Sequence, residues 1–343
     1  LKKVLIGMSG GVDSSVAAAV LKEQGYEVAG AMMRLWSTTD KPDSEADARR
    51  VCEHLGIDFY LLDLQDLFRE KVVEHFVAEY IAGRTPNPCI VCNKYLKFGA
   101  MLEKAKELGF DYIATGHYAK IEQMPDKKFR LRMSEGGEKD QSYVLYNFTQ
   151  EQLRHTLMPL GDYNKEWVRQ KAQELNLPVA NKPESMEICF VEDGHYADFI
   201  MDFCDYVPKP GTFVDVAGNV LGEHRGMIYY TVGQRKGLGA FGKPMFVLGL
   251  NPEQNTVILG EKGMEFSESL MAREVNFISG EMPKVPITAE VKIRYQAKPA
   301  GATLIPAGEQ MRVVFDVPQR AVTPGQAVVF YDGDVVLGGG TVV

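Results

Sequence analysis

The stretch Val4-Leu5-Ile6-Gly7-Met8-Ser9-Gly10-Gly11-Val12-Asp13-Ser14-Ser15 reads as a short apolar run, a glycine- and serine-rich loop and the opening of a helix. An apolar run closed by glycine is the signature of a buried strand, and the spacing predicts a helix over Val12 to Glu23. The loop between them places backbone N–H groups at a helix N-terminus, whose partial positive charge suits phosphate oxygens. Glycine also lets a ligand approach the backbone closely. The stretch lacks the Gly-Lys-Ser/Thr ending of a Walker loop and the glycine spacing of a dinucleotide fingerprint. An ordinary Gly/Ser turn capping a helix is the plainer alternative.

Working outward, Glu27 to Met33, Glu45 to Leu55 and Phe59 to Leu62 continue a βαβαβ alternation, which predicts a parallel sheet. Two longer helical patterns, Leu67 to Ile81 and Lys94 to Leu108, precede an apolar run at Tyr112 to Thr115 that ends in Gly116-His117. Ligands of open α/β sheets sit beyond the carboxyl ends of the strands. Gly10-Gly11 and Gly116-His117 are therefore expected to line one crevice. From about Pro208 the texture changes to short alternating runs such as Gly211 to Asp215 and Phe246 to Leu250, strands without intervening helices. The expected architecture is an α/β catalytic domain over residues 1–206, a small β-rich module over 207–266 and a barrel-like β module over 267–343. No internal repeat is present.

Composition bounds the function. The 343 residues are 45% hydrophobic and 24% charged, enough to fill two or three cores and too apolar for a disordered chain. No apolar run approaches the roughly eighteen residues of a membrane helix, and the start shows no apolar signal core, so a cytoplasmic location is expected. Five cysteines are not a secreted disulfide framework and read as thiols, ligands or catalysts. A net charge of -8 argues against a polyanion binder held by bulk charge. An RNA partner would need local basic faces. Two segments provide them: Lys127 to Lys139, with five basic residues against two acidic, and Lys284 to Lys298, with four against one.

Thr85-Pro86-Asn87-Pro88-Cys89-Ile90-Val91-Cys92-Asn93 puts two thiols before a helix that carries Lys94, Tyr95 and Lys97. A cysteine near a helix N-terminus and cations is expected to be an acidic, reactive thiol. Cys-x-x-Cys alone fits a redox pair, half a zinc site or a catalytic thiol, and no second ligand pair at zinc spacing is evident. Cys189 in Ser185-Met186-Glu187-Ile188-Cys189-Phe190 is the natural third partner, reachable only through the fold. Cys52 and Cys204 read as buried structural residues.

Together, the SGGVDSS loop, the TPNPCIVCNKYLKFG segment, ATGHYAK at 114–120, KDQSYVLY at 139–146, SMEICF at 185–190, TVGQRKGLG at 231–239, Lys292 to Tyr295 and Gly325 to Tyr331 resemble the tRNA-specific 2-thiouridylases, ATP pyrophosphatases with a pyrophosphate loop. The likeness spans essentially the whole chain. It implies ATP-dependent replacement of the C2 oxygen of a wobble uridine by sulfur, with Mg2+ accompanying ATP. It implies that Gly7, Met8, Ser9, Gly10, Gly11, Val12, Asp13, Ser14, Met33 and Gly116 bind ATP. It implies Cys92 as nucleophilic or resolving thiol and Cys189 as persulfide carrier, with a disulfide bond arising as one thiol resolves the other. Asn87, Pro88 and Cys89 would surround the target base, while His117, Lys139, Asp140, Gln141, Arg294, Tyr295 and Gln326 would contact tRNA. Some relatives carry aspartate at the position of Cys89, which leaves no obvious general base there.

The implied partners are a tRNA with uridine at the wobble position and a sulfur-relay protein carrying a persulfide; a monomer and no membrane association are expected. Asp13 reads as a carboxylate on the Mg2+ side of the loop or as a simple helix N-terminal charge. Three alternatives stand beside this reading. One is a small-carboxylate adenylase, another a sensor in which Cys89, Cys92 and Cys189 hold zinc or an iron–sulfur cluster, and the third a thiolase that works through such a cluster.

Overall fold

The computed structural model describes residues 1–36, 44–136, 139–183, 188–191 and 194–343. Residues 37–43, Glu138 in the first basic segment and Ser185-Met186-Glu187 lie outside them. The opening stretch forms strand β1 (Lys3–Gly7), the phosphate-loop candidate and helix α1 (Val12–Glu23). The chain continues through β2 (Glu27–Arg34), β3 (Asp58–Asp63), β4 (Tyr112–Ala114), a hairpin of β5 (Ala119–Gln123) and β6 (Phe129–Met133), and a short β7 (Thr156–Leu157). The first sheet runs β3-β2-β1-β4-β7, every pairing parallel. Its centre is apolar on both faces: Val4 and Ile6 pack with Val16 and Val20 of α1, and Leu5 packs with Met101 and Ile113 on the other side. A strand buried on both faces needs the continuous apolar run that the sequence supplies.

Helix α2 (Ser44–Leu55) follows β2, and α3 (Glu74–Ile81) extends a π-helical turn at Arg69–Val73. Then come the short α4 (Pro88–Cys92), a π-helical segment Asn93–Ala100, α5 (Met101–Glu107), α6 (Lys165–Glu174) and α7 (Tyr196–Cys204).

The second half is β-rich, as its texture predicts. Strands β8 (Gly211–Val214), β9 (Val220–His224), β10 (Met245–Asn251) and β11 (Thr256–Glu261) form a mixed sheet. Strands β12 (Phe266–Phe277), β13 (Ile287–Lys292), β14 (Ala300–Ala307), β15 (Gln310–Arg320), β16 (Ala327–Asp332) and β17 (Val335–Val342) run in order β12-β15-β14-β13-β16-β17. A β12–β17 pairing closes them into a six-stranded antiparallel barrel.

One feature departs from the sequence reading. The β5–β6 hairpin of the first half joins the barrel's sheet, with Leu131 of β6 opposite Val336 of β17. Leu131, Tyr143, Val329, Tyr331 and Val336 share one core with Leu5 and Ile113, so the barrel and the parallel sheet are packed on common side chains. The basic segment Lys127 to Lys139 is therefore in part a strand at a domain junction. Arg132 gives Asp334 two hydrogen bonds, at 2.9 and 2.6 Å, and reaches Glu122 at 3.3 Å, which takes it out of the expected RNA-facing set.

Candidate active site

The loop after β1 is built to keep backbone amides open. Gly11 caps α1 with no side-chain hydrogen bond, leaving its first turn without a side-chain acceptor. The Ser14 and Ser15 hydroxyls donate to the Gly11 carbonyl at 3.2 and 2.7 Å, and the Ser9 amide donates to Ser14 Oγ at 3.2 Å. Gly10 has φ +69°, and a Cβ on it would stand 2.6 Å from the Ser44 carbonyl oxygen, so glycine is required there. The Lys182 ammonium donates to the Gly10 carbonyl at 3.0 Å and pairs with Asp47 of α2.

Strand β4 lies directly beside β1, with Ile6 opposite Ala114. That register delivers Gly116 to the loop: a Cβ on Gly116 would lie 2.8 Å from the Ser14 amide nitrogen. The two glycine segments thus line one crevice at the carboxyl edge of the sheet. Met8 and Val12 are buried, and half-buried Met33 stands at the same edge of β2, opposite Leu62. Asp13 Oδ1 accepts from Lys165 Nζ at 2.6 Å and from the Tyr118 hydroxyl at 2.7 Å, so one carboxylate oxygen ties the loop to α6.

The cysteine segment is shaped by its prolines and asparagine. Asn87 Oδ1 accepts the Cys89 amide at 3.1 Å and Pro88 occupies the first helical position, where its missing N–H costs nothing. Cys89 is exposed and Cys92 is buried. Cys92 packs with Phe68, Phe76, Phe190 and Val191, which places the 188–191 segment against α4 and sets exposed Cys189 beside the pair. All five cysteines are thiols.

The expected acidic thiol is not what Cys92 presents. Burial pushes its thiol up to about 11, Cys189 and Cys89 push the same way, and the Lys97 ammonium pulls against them. Cys92 closes a five-residue helix among aromatic side chains, where desolvation outweighs the cation. Cys52 is buried with its thiol pushed up to about 11, an inert packing residue as expected. Cys204 is exposed, not buried, because it lies on the last turn of α7, where its thiol donates to the Ile200 carbonyl at 3.3 Å. Among the described residues no three His, Cys, Asp or Glu side chains converge closely enough to hold a metal ion.

His117 links the thiol region to the loop. Its Nδ1 is 2.8 Å from Thr115 Oγ1 and its ring lies 5.8 Å from that of Phe98 on the π-helical segment. Burial and then Lys97 hold its imidazole well below the ordinary range, hence neutral.

The residues implied to touch tRNA fall into two groups on neighbouring surfaces. Asp140 accepts from the Ser134 and Ser142 amides and the Ser142 hydroxyl at 3.0, 3.3 and 2.7 Å, and Gln141 exchanges hydrogen bonds with the Tyr118 backbone. Both therefore shape the turn that presents Lys139. Tyr295 lies edge-on to Tyr143 at 6.1 Å, Lys292 sits over both rings, and the Tyr143 hydroxyl donates to the Ala327 carbonyl at 2.8 Å. Arg294 acts electrostatically on Tyr143 and Asp140 on Tyr295, so residues 139–143 and 294–295 are neighbours across the junction.

Gln326 is held by the protein itself: its Nε2 donates to the Thr85 carbonyl at 2.7 Å, while the Thr85 amide donates to Pro324 O at 2.9 Å. A second clamp was not singled out in the sequence. Buried Glu79 of α3 accepts from Arg84 Nε at 2.7 Å and from Arg273 of β12 at 3.3 Å. Burial alone would raise the Glu79 carboxyl, but the two guanidiniums, helped by His75, hold it below its ordinary value. The only signal was a glutamate on the apolar stripe Phe76-Val77-Ala78-Glu79-Tyr80, which demands a buried cation. A cleft of about 530 Å³ opens beside this clamp, lined by Asn87, Lys94, Tyr95, Tyr146, Arg273 and Thr341 among others.

Comparison with known proteins accounts for all of these parts at once. Residues 2–193 match a family model described as tRNA methyl transferase HUP domain, 198–261 one described as tRNA methyl transferase PRC-barrel domain, and 267–342 one described as aminomethyltransferase beta-barrel domain. Curated relatives named tRNA-specific 2-thiouridylase MnmA include one from Acetivibrio thermocellus, 55% identical over 99% of both chains. Another, from Clostridioides difficile, is 52% identical over 99% of this chain and 98% of its own. The chain belongs to the tRNA-specific 2-thiouridylase family. That family consists of sulfurtransferase enzymes. A solved tRNA thiolase from Methanococcus maripaludis, with a TM-score of 0.38 and 20% identity over 60% of this chain and 65% of its own, is a distant likeness.

Proposed function

We propose that this thiouridylase-family chain catalyses ATP-dependent 2-thiolation of the wobble uridine of tRNA, with Cys189 carrying the sulfur and Cys92 releasing the product. The observation that carries the reading is a continuous run of contacts from Ser14 through Gly116, His117 and Phe98 to the helix of Cys92 and the segment of Cys189. On this reading the phosphate cradle and the two thiols from distant segments serve one reaction.

The uridine C2 oxygen is a poor leaving group. Adenylation by ATP releases pyrophosphate and turns that oxygen into one that departs as AMP. Gly10 to Ser14 and Gly116 offer the amides for the phosphates, with Gly7, Met8 and Ser9 leading into the loop and Met33 at the edge of the same crevice. Mg2+ arriving with ATP would neutralise phosphate charge; hard cations of this kind use phosphate oxygens and one or two carboxylates. Asp13 fits, since Oδ1 holds Lys165 and Tyr118 and no hydrogen bond to Oδ2 is made among the described residues.

Sulfur arrives by exchange. A relay protein's persulfide passes its terminal sulfur to exposed Cys189 and keeps a thiol. The terminal sulfur of the Cys189 persulfide attacks C2, expelling AMP and leaving a C2–S–S–Cys189 link. The Cys92 thiolate then attacks Cys189 Sγ, which forms a Cys92–Cys189 disulfide and frees 2-thiouridine. An external dithiol supplies the two electrons that restore both thiols. Exposure matches the roles: the sulfur acceptor is accessible and the resolving thiol is shielded from the relay. Asn87, Pro88 and Cys89 would flank the flipped base, and one chain contains every residue named, consistent with a monomer.

Cys189→Ser and Cys92→Ser should each abolish 2-thiouridine formation while ATP still binds, because neither touches the phosphate loop. Thiolation retained in either variant overturns the scheme.

A further inference from the structure

We propose that Lys97 is the positioning cation of the resolving thiol, held over Cys92 by the π-helical register of Asn93–Ala100. This deepens the thiolation reading and rests on it for the role of Cys92. In an α-helix, residues five apart point about 140° away from each other. A π-helix closes its hydrogen bonds at i to i+5, and its wider turn brings such residues onto the same face. The π register here starts at Cys92 itself and has Lys97 as its fifth residue. Regular α geometry over the same eight residues would turn the ammonium away from the thiol.

The packing makes the register persist. Leu96 and Phe98 are buried on the segment's inner face, and Asn93 is anchored by its Nδ2 donating to the Val144 carbonyl at 3.0 Å. A Cβ on Gly99 would stand 3.1 Å from the Lys94 carbonyl oxygen five residues back, so glycine gives the wide turn its room. Lys97 is half-buried and makes no ion pair among the described residues, although most basic residues near it on the helix are fully exposed or paired with glutamate. An unneutralised, half-desolvated ammonium costs free energy unless something nearby benefits from it.

Two groups feel that charge, Cys92 and His117, and they belong to the two halves of the crevice. The other titratable groups facing Cys92 are Cys89 and Cys189, and both oppose its ionisation. Lys97 is thus the one group in the cluster that favours a Cys92 thiolate. Lys97 offsets part of the burial that holds the Cys92 thiol up to about 11, so more of the thiolate is present when the C2–S–S–Cys189 link has to be cut. The thiol proton leaves to solvent more readily with the ammonium in place. Burial, and after it the same charge, keeps His117 neutral, so the imidazole adds no second cation.

The test needs neither tRNA nor a sulfur donor, so its outcome is separate from whether the chain thiolates RNA. Reduced protein is treated anaerobically with iodoacetamide across a pH series, and alkylation at Cys92 is read peptide by peptide by mass spectrometry. Lys97→Met should slow Cys92 alkylation about tenfold at about pH 8, as expected for moving a thiol up by one pKa unit, with Cys89 and Cys189 not slowed. Lys97→Arg, which keeps the charge, should restore the rate to within about twofold of the native one. Should Lys97→Met lose its cooperative melt, Lys97→Gln carries the same reading. A Cys92 pH profile that is the same in the native protein and in the folded neutral variant overturns the proposal, as does an arginine variant no better than the neutral one.

Discussion

A single methyl group separates a working nucleotide loop from a blocked one at Gly116. Its absent Cβ would meet the Ser14 amide nitrogen at 2.8 Å, a backbone atom that cannot swing aside. Gly116→Ala should therefore weaken ATP binding by about tenfold or more, as overpacking by one methyl typically costs about 1–3 kcal/mol; titration calorimetry checks it, and unchanged affinity would contradict the loop geometry. The cysteines divide by environment. Cys52→Ala should cost about 1–2 kcal/mol of stability in a denaturant melt with turnover retained, because its Sγ fills the space that glycine leaves at position 30. Cys204→Ala, at an exposed site, should leave the melt essentially unchanged. The strand–loop–helix unit at Lys3 to Glu23 was legible from sequence because its parts are contiguous. The ionisation of Cys92 was not: its burial comes from Phe68, Phe76 and Phe190, which no local pattern connects to it.

The clamp on the segment Arg84 to Asn87 is a property of elements. Helix α3, strand β12 and the 323–326 turn meet there through Glu79, Arg84, Arg273, Gln326 and Thr85. Gln326→Ala should lower kcat/KM for tRNA by about tenfold while leaving ATP binding intact, since the residue orders the base-flanking segment. An effect on ATP binding of equal size would contradict that role.

Glu79 supplies a pH signature. Its carboxyl is held below its ordinary value in the folded protein, so its contribution is present above the unfolded pKa of about 4.3 and is lost as pH falls through the lower folded value. Acid melts should show a stability loss below about pH 4 that Glu79→Gln flattens, at the cost of lower stability near neutrality. An unflattened acid limb would mean that other carboxylates carry it. The sequence patterns gave the parallel strands and the change to β texture at about Pro208. They could not give the partner of β6, because Phe129-Arg130-Leu131-Arg132-Met133 alternates like any strand and its neighbour lies some two hundred residues on.

At the scale of the molecule, the barrel is not an appendage. Leu5 and Ile113 share a core with Val329, Tyr331 and Val336, and the β5–β6 hairpin extends the barrel's sheet. A fragment ending near residue 207 should lack a cooperative melt and aggregate through the bared edge of β6. A fragment that melts like the intact chain would contradict the shared core. The residues proposed to contact tRNA likewise come from both halves, residues 139–141 from the first and 294–295 from the second. The chain carries a net charge of -8, so tRNA binding should show only a modest salt slope, set by a few local phosphate contacts. The most direct test of the whole account is anaerobic single-turnover thiolation of unmodified tRNA by metal-free protein, with labelled ATP and a persulfide donor, scoring AMP and 2-thiouridine together. The account predicts that both appear in step without iron. AMP and 2-thiouridine that appear only after iron reconstitution would make the three cysteines cluster ligands, and neither product with tRNA would return the chain to the small-substrate adenylases.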